Sequence, residues 1–437
     1  MPRSLALDVL DAVLRRKRPL DEAFESHPRL RTLEPRDRAF ARALAWGVLR
    51  RAGQLDDLIG RALNSPLPAK ARQTHDVLRL GAFQILFLET PAHAAVNTSV
   101  DLAQKHGCGP YKKLVNAVLR RLTREGKAWR AVQDEALLNT PDWLWRIWSE
   151  TYGQETARAM ARAHLNEPPL DLSIAKGDPH DWATRLDGAA LPTGSVRLRP
   201  GGPITALEGF ADGAWWVQDV AATLPGRLLG DVAGLSVIDL CAAPGGKTCQ
   251  LAASGARVTA IDRSENRLRK VKENLDRLRL EADIVAADAR TWRPSTPADA
   301  LLLDAPCSAT GTIRRHPDVP HVKTPQDIAR LTQTQRQLLD GARDMVRPGG
   351  LLVYCTCSLQ PEEGEAQIAA FLDAEPGFAR EAIDPTELSL PVGALSANGE
   401  LRTLPHFQPD SVPGAPPISS VESGGMDGFY AARLRRL

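Results

Sequence analysis

Two short stretches place a thiol where a sheet protein does its chemistry. Leu351, Leu352, Val353 and Tyr354 form an apolar, β-prone run after the Gly349-Gly350 turn. The run passes into Cys355-Thr356-Cys357-Ser358, and Pro361 with three nearby glutamates predicts a helix start. Asp304-Ala305-Pro306-Cys307-Ser308 likewise follows the apolar run Ala300–Leu303. Both thiol loops fall at a strand's C-terminal end, the edge at which open α/β sheets bind ligands. A thiolate is a nucleophile, so two such loops suit covalent catalysis. Plainer roles compete. Cysteines are often small buried hydrophobes, and Cys355 with Cys357 could form a redox pair. No second cysteine pair or histidine cluster stands at ligand spacing, so no metal is expected.

A third stretch speaks for a small-molecule site. Val237–Leu240 runs into Cys241-Ala242-Ala243-Pro244-Gly245-Gly246-Lys247-Thr248, a strand followed by a glycine turn and a helix. Such a turn presents backbone N–H groups and lets a ligand approach closely. It is not a nucleotide phosphate loop, because that motif needs glycine where Cys241 stands. Nor is there a G-x-G-x-x-G spacing for a dinucleotide. Asp262, Asp288 and Asp304 follow successive strand runs. One strand-end aspartate is commonplace as a helix cap; three in one sheet point to a shared site. An acid after the second strand suits a ribose diol.

The elements that position these groups are legible as apolar runs. Ser236–Leu240, Val258–Ile261, Asp283–Ala287, Ala300–Leu303 and Leu351–Tyr354 alternate with helical stretches such as Glu265–Leu278. Strands apolar throughout, alternating with helices, predict a mostly parallel sheet covered on both faces. This α/β domain spans residues 206–437. It includes a Pro/Gly/Ser-rich loop from Ile383 to Gly425 and a closing strand at Gly428–Leu434. Residues 1–131 read as all-helical, with helical spacing in Ser4–Leu14, Asp37–Arg51, Leu55–Leu63, His75–Glu89, Ala92–His106 and Tyr111–Glu125. Residues 132–205 read as a small α+β domain. It holds helices at Pro141–Trp148 and Gln154–Leu165, a strand at Leu170–Ile174 and an exposed strand at Val196–Arg199. Trp143 and Trp145 are read as core residues rather than stacking platforms.

Composition excludes several classes. No apolar run approaches the roughly 18 residues of a membrane helix, and the charged N-terminus is no secretory signal. Six cysteines in 437 residues suit a reducing cytoplasm rather than a disulfide scaffold. Net charge is +2, but residues 1–130 carry +11 and the remainder −9. A basic module joined to an acidic one suggests that the first handles a polyanion; a solvated arginine-rich surface is the alternative.

The motifs resemble a known family. Cys241–Lys247, Asp262, Asp288, Asp304–Gly311, Arg314–Asp318 and Tyr354–Ser358 are similar to the Sun family of S-adenosylmethionine-dependent RNA (cytosine-5)-methyltransferases. Ala6–Leu10, Asp37–Phe40 and Lys113–Arg120 resemble the all-helical NusB-type RNA-binding domain. The resemblance implies a Rossmann-like class I methyltransferase domain behind a NusB-like domain, with 16S ribosomal RNA as substrate. It assigns Cys241, Ala242, Ala243, Pro244, Gly245, Gly246 and Lys247 to the methionine and ribose parts of S-adenosyl-L-methionine, with Arg267 alongside. It assigns Asp262 to the ribose hydroxyls, Asp288 to the adenine edge and Asp304 to the methionine end and the base. It makes Cys357 the nucleophile and Cys307 the residue that promotes release, with Asp304 and Lys247 in support. A cytoplasmic monomer with no membrane partner is expected.

That chemistry needs these groups. Carbon-5 of cytosine is a poor nucleophile until a thiolate adds to carbon-6 and makes it enamine-like. The adduct needs a proton at N3, which Asp304 could give if burial raises its pKa. A base must then take the carbon-5 proton so that the thiolate can leave. Residue physics alone does not say which thiol attacks; in the related DNA enzymes the Pro-Cys thiol, here Cys307, does. Lys247 either orients Asp304 and lowers a thiol pKa or is a solvated helix-start lysine. Arg314, Arg315 and His316 are expected at RNA phosphates. The rival function is a non-catalytic RNA-binding assembly factor with a vestigial fold, against which intact Cys307, Cys357 and Asp304 argue.

Overall fold

A computed structural model describes residues 1–391, 393–409 and 424–437. Part of the loop expected over Ile383–Gly425 therefore lies outside the described residues. The chain divides into two compact units: Met1–Leu165 with His316–Thr324, and Asn166–Arg315 with Pro325–Leu437.

The first unit is helical. Its helices form because apolar residues recur at helical spacing. In Lys112–Ala131, Val115, Val118, Leu119 and Leu122 make one buried stripe, while Lys112, Lys113, Arg120 and Arg124 stay exposed. Burying each such leucine or valine stabilises the unit by roughly 1.5–3 kcal/mol. Pro2–Leu14, Pro35–Arg50, Ala52–Ala62, Arg72–Leu86 and Ala92–Lys105 complete the expected set. Leu20–Glu25 is a further helix, too short to leave a periodic signal. The unit runs past the expected boundary at 131, taking in Asp142–Tyr152 and Gln154–His164. Trp148 is the core tryptophan there; Trp143 and Trp145 are only half-buried, because they flank the buried Leu144–Trp148 stripe on either side. The later segment His316–Thr324 is anchored in this unit. Asp318 Oδ2 accepts from Leu20 N at 3.0 Å at the start of Leu20–Glu25, His321 Nε2 lies 3.0 Å from Leu49 O, and Val322 packs on the helical core.

The second unit holds two sheets. The smaller comprises β1 (Leu170–Ile174), β2 (Ala189–Ala190), β3 (Val196–Leu198) and β4 (Trp215–Val217), in the order β2-β3-β1-β4 and antiparallel. β3 is buried, not exposed. It lies between β2 and β1, and Arg197 forms a two-point ion pair with Asp171, Nε–Oδ1 at 2.7 Å and Nη2–Oδ2 at 2.8 Å. The alternation that suggested a solvent face is a buried charge paired across the strands.

The larger sheet is built from β5 (Ser236–Leu240), β6 (Arg257–Asp262), β7 (Asp283–Ala286), β8 (Ala298–Asp304), β9 (Val346–Thr356), β10 (Phe378–Arg380), β11 (Leu401–Arg402) and β12 (Tyr430–Arg436). Its order is β10-β12-β9-β8-β5-β6-β7, with β11 beside β12. β5 to β9 pair in parallel; β12 runs antiparallel against β9. This is the expected mostly parallel, Rossmann-like sheet with its closing strand, which runs antiparallel; β10 was not foreseen, and β11 lies within the stretch expected to be a loop. The chain leaves β5 toward β6 and β7 on one side and returns to β8 and β9 on the other. The crevice above β5 and β8 is thus the topological switch point, where open α/β sheets bind ligands.

Candidate active site

All three motifs reach that crevice. Register aligns Leu240 with both Ile261 and Leu303, and Asp304 with Cys355, so the turns after β5, β6, β8 and β9 emerge at one edge. After β5 the chain turns at Cys241 (φ 63°) and Gly245 (φ 102°) into the helix Gly246–Ala253. Gly245 is required twice over: its φ is left-handed, and a Cβ there would stand 3.1 Å from Val271. Gly246 differs. A Cβ on it would meet only Gln218 at ordinary contact, 3.7 Å, so its small size answers no crowding within the protein.

Asp262 ends β6 and accepts from Ala243 N (3.3 Å) and Ser264 N (3.0 Å). Arg267 Nη1 pairs with it at 3.1 Å, and Arg267 also donates to Ala243 O. These bonds join the Cys241–Gly246 turn to the second strand end. Next to Ala287, whose N–H donates to Asp262 O at 3.1 Å, Asp288 follows β7 at the same sheet edge. Its own neighbour Arg290 chelates it, and that hydrogen-bonded charge pulls its carboxyl down to about 2.

Lys247 is not a solvated helix-start lysine. Its side chain is 9% exposed, and Nζ donates to Asp304 Oδ2 at 2.8 Å. Nζ also stands 5.0 Å from the centroid of the Phe429 ring. Burial works against its charge, but Asp304 and nearby thiols outweigh it and raise the ammonium above its ordinary value. Asp304 is 32% exposed at the side chain. It works as half of a Lys247–Asp304 pair.

The thiols sort themselves by environment. Cys307 Sγ and Cys357 Sγ lie 3.4 Å apart. Cys355 instead aims at Asp304 Oδ1 (3.6 Å) and is fully buried, so Cys355 and Cys357 do not form the supposed redox pair. Burial, with Asp262 adding, pushes Cys241 to about 12; burial also pushes Cys249 to about 12, and burial with Asp304 holds Cys355 well above the ordinary thiol range. The hydrogen bond with Cys357, then burial, raises Cys307 strongly, which keeps its proton available to its neighbour's sulfur. Lys247 and Arg315 each feel the charge of Cys357, whereas the carboxylate acting on Cys307 is Glu363.

Two expectations are corrected. Arg314 is 1% exposed and pairs with Asp219 at 2.9 Å, and Arg315 pairs with the buried Asp427. Both tie the Cys307 loop to β12's approach rather than standing free for phosphates. His316 lies in the helical unit, 3.1 Å from Asp21. The glutamates after Pro361 do not simply start a helix. Pro361–Glu363 is a 3₁₀ turn, the helix begins at Glu365, and Glu363 is wholly buried beneath the thiol loops. Sequence reasoning missed Glu363, Gln335 and Phe429. A Cys-Ser dipeptide repeated in both loops was the available signal for the first.

Known proteins are similar to this chain. The profile of the family described as 16S rRNA methyltransferase RsmB/F matches residues 228–435, and that of the NusB family matches residues 1–124. The ribosomal RNA small subunit methyltransferase B of Klebsiella pneumoniae is 34% identical, covering 99% of this chain and 97% of its own. That of Pseudomonas putida is 36% identical, covering 100% and 98%. Among solved structures, PH0851 has a TM-score of 0.75 at 21% identity, covering 100% of this chain and 99% of its own. NSun6 from Pyrococcus horikoshii, solved with SFG, has a TM-score of 0.56 at 21% identity, covering 68% and 98%. The last two likenesses bear on the fold alone.

Proposed function

The chain belongs to the 16S rRNA methyltransferase RsmB/F family, and on that premise we propose that it methylates carbon-5 of a cytosine in small-subunit ribosomal RNA, using S-adenosyl-L-methionine and a transient bond from Cys357 to carbon-6. The observation that carries the reading is the pair of thiols 3.4 Å apart beside the Lys247–Asp304 pair, at the carboxyl ends of β8 and β9.

The residues present fit the cofactor. The N-terminus of Gly246–Ala253 offers backbone N–H groups to a carboxylate. Asp262 at the end of β6 suits a ribose diol, Arg267 bridges it to the turn, and Asp304 suits the ammonium at the methionine end. Bound S-adenosylmethionine supplies an electrophilic methyl group.

The chain's own groups do the rest. Cys357, beside the positive charges of Lys247 and Arg315, attacks carbon-6 as thiolate. Cys307, a neutral thiol, hydrogen-bonds the attacking sulfur. Asp304 and the Lys247 ammonium face the base, and the ammonium, which keeps its proton, meets the negative charge that develops as sulfur adds. A base then takes the carbon-5 proton as the carbon-6–sulfur bond breaks and Cys357 leaves as thiolate, with the Cys307 thiol hydrogen-bonding the departing sulfur. The basic helical unit is read as the part that holds ribosomal RNA, in the cytoplasm.

Transfer of labelled methyl from S-adenosylmethionine to ribosomal RNA from cells lacking the protein, followed by mapping, tests the function. Label at carbon-5 of one cytosine is the expected result. No label on any ribosomal RNA or assembling subunit would favour the assembly-factor reading.

A further inference from the structure

Both thiol loops carry the same dipeptide, Cys307-Ser308 and Cys357-Ser358. The two serines are fully buried and converge on one carboxylate. Glu363 Oε2 accepts from Ser358 Oγ at 2.6 Å and from Ser308 Oγ. Its Oε1 accepts from Ser308 N at 2.9 Å and from Gln335 Nε2 at 3.0 Å. Gln335 Nε2 also donates to Pro306 O at 2.9 Å. Thr310 Oγ1 lies 3.3 Å from each serine hydroxyl and accepts from Leu359 N at 3.0 Å. The main-chain carbonyl of Glu363 accepts from Tyr354 Oη at 2.8 Å, fixing the residue to β9.

We propose that Glu363 is a positioning residue that clamps the two thiol loops together and so sets the geometry of both thiol steps. The proposal rests on the reading of Cys357 and Cys307 as the reacting pair. A carboxylate is acceptor-only, with room for about four donors. Here two N–H and two O–H groups fill it, and they come from both loops and from the helix Pro325–Ala342. Glu363 is 0% exposed, so losing these partners would strand a buried charge; the network holds together as a whole. Each serine strut attaches one residue from a sulfur. Movement of the carboxylate therefore moves both sulfurs, and the 3.4 Å separation depends on it.

The separation can be read without any substrate, from the rate at which diamide closes a Cys307–Cys357 disulfide. Two thiols lose two protons and two electrons, and the diazene is reduced to the hydrazine. The variants are Glu363→Ala, Glu363→Gln, Ser308→Ala and Ser358→Ala; the serine variants keep the test alive should Glu363→Ala not fold. Glu363→Ala is expected to slow disulfide closure at least about tenfold and methyl transfer about 10²-fold in kcat, as for a reacting group displaced by about 1 Å. KM for RNA and calorimetric affinity for S-adenosylmethionine should stay at wild-type values. Glu363→Gln should recover part of both rates, because its carbonyl still serves Ser308 N and Gln335. Each serine variant should slow closure alone. Wild-type closure rates in both serine variants would overturn the clamp. A wild-type protein that closes the disulfide normally, with variants responding as expected, yet transfers no methyl, would overturn the proposed function and leave the clamp standing.

Discussion

Asp239 offers a stability test whose sign and size follow from the structure. It sits within β5, fully buried, and only one of its oxygens has a partner: Oδ2 accepts from Thr248 Oγ1 at 2.6 Å. Burial pushes its pKa from 3.8 to about 7; the Thr248 hydrogen bond opposes this and the charge of Asp304 adds to it. The folded protein thus keeps a proton that the unfolded chain releases near 3.8. The stability tied to this group is whole below pH 3.8 and is lost as pH rises through about 7. The gap is worth roughly 4 kcal/mol in all. Asp239→Asn copies the protonated acid, keeps an oxygen for Thr248 and cannot ionise. Urea unfolding of both proteins, followed by circular dichroism from pH 5 to pH 8, should show the variant gaining on wild type by about 3 kcal/mol across that range. Parallel stability profiles would show that Asp239 does not titrate there and would refute the reasoning.

Three further outcomes are expected. Gly246→Val should abolish S-adenosylmethionine binding in a calorimeter while leaving the melting transition in place, since a Cβ there meets only Gln218 at 3.7 Å; unchanged affinity would remove the turn from the cofactor site. Asp262→Ala should weaken the same binding by about 1.5–3 kcal/mol, through lost hydrogen bonds to a charged group. Its Kd against wild type checks this. Lys112→Ala, Lys113→Ala and Arg124→Ala, all exposed on one helix, should each flatten the log–log salt dependence of ribosomal RNA binding by about 0.7–0.9 for every phosphate that the side chain neutralised. An unaltered slope would make that face a solvated surface only.

The sheet was legible because its strands are buried on both faces and read as apolar runs. Ser236–Leu240 is matched end to end, and the others differ only at their ends. The thiol loops and the Cys241–Lys247 turn were legible because strand ends, glycines and aspartates leave a local pattern. What sequence could not give was pairing across the fold. Cys357 meets Cys307, 50 positions away, not Cys355, two positions away. Arg197, Arg314 and Arg315 looked like surface cations, but Asp171 and Asp219 neutralise the first two in the interior, and the buried Asp427 pairs with the partly exposed third. Glu363 looked like a first-turn glutamate, and only the fold shows it beneath both thiols. Charge balance between distant segments has no local signature.

The central claim is that Cys357 attacks carbon-6 and Cys307 assists its departure. Denaturing gels of Cys357→Ser and Cys307→Ser, each incubated with ribosomal RNA and S-adenosylmethionine, test it most directly. Cys357→Ser should be inactive and form no adduct, because a hydroxyl does not ionise at neutral pH as a thiol partly does. Cys307→Ser should attack and transfer methyl but release slowly, leaving a covalent RNA–protein band. The reverse pattern would make Cys307 the nucleophile, and full activity in Cys357→Ser would contradict covalent catalysis through that residue altogether.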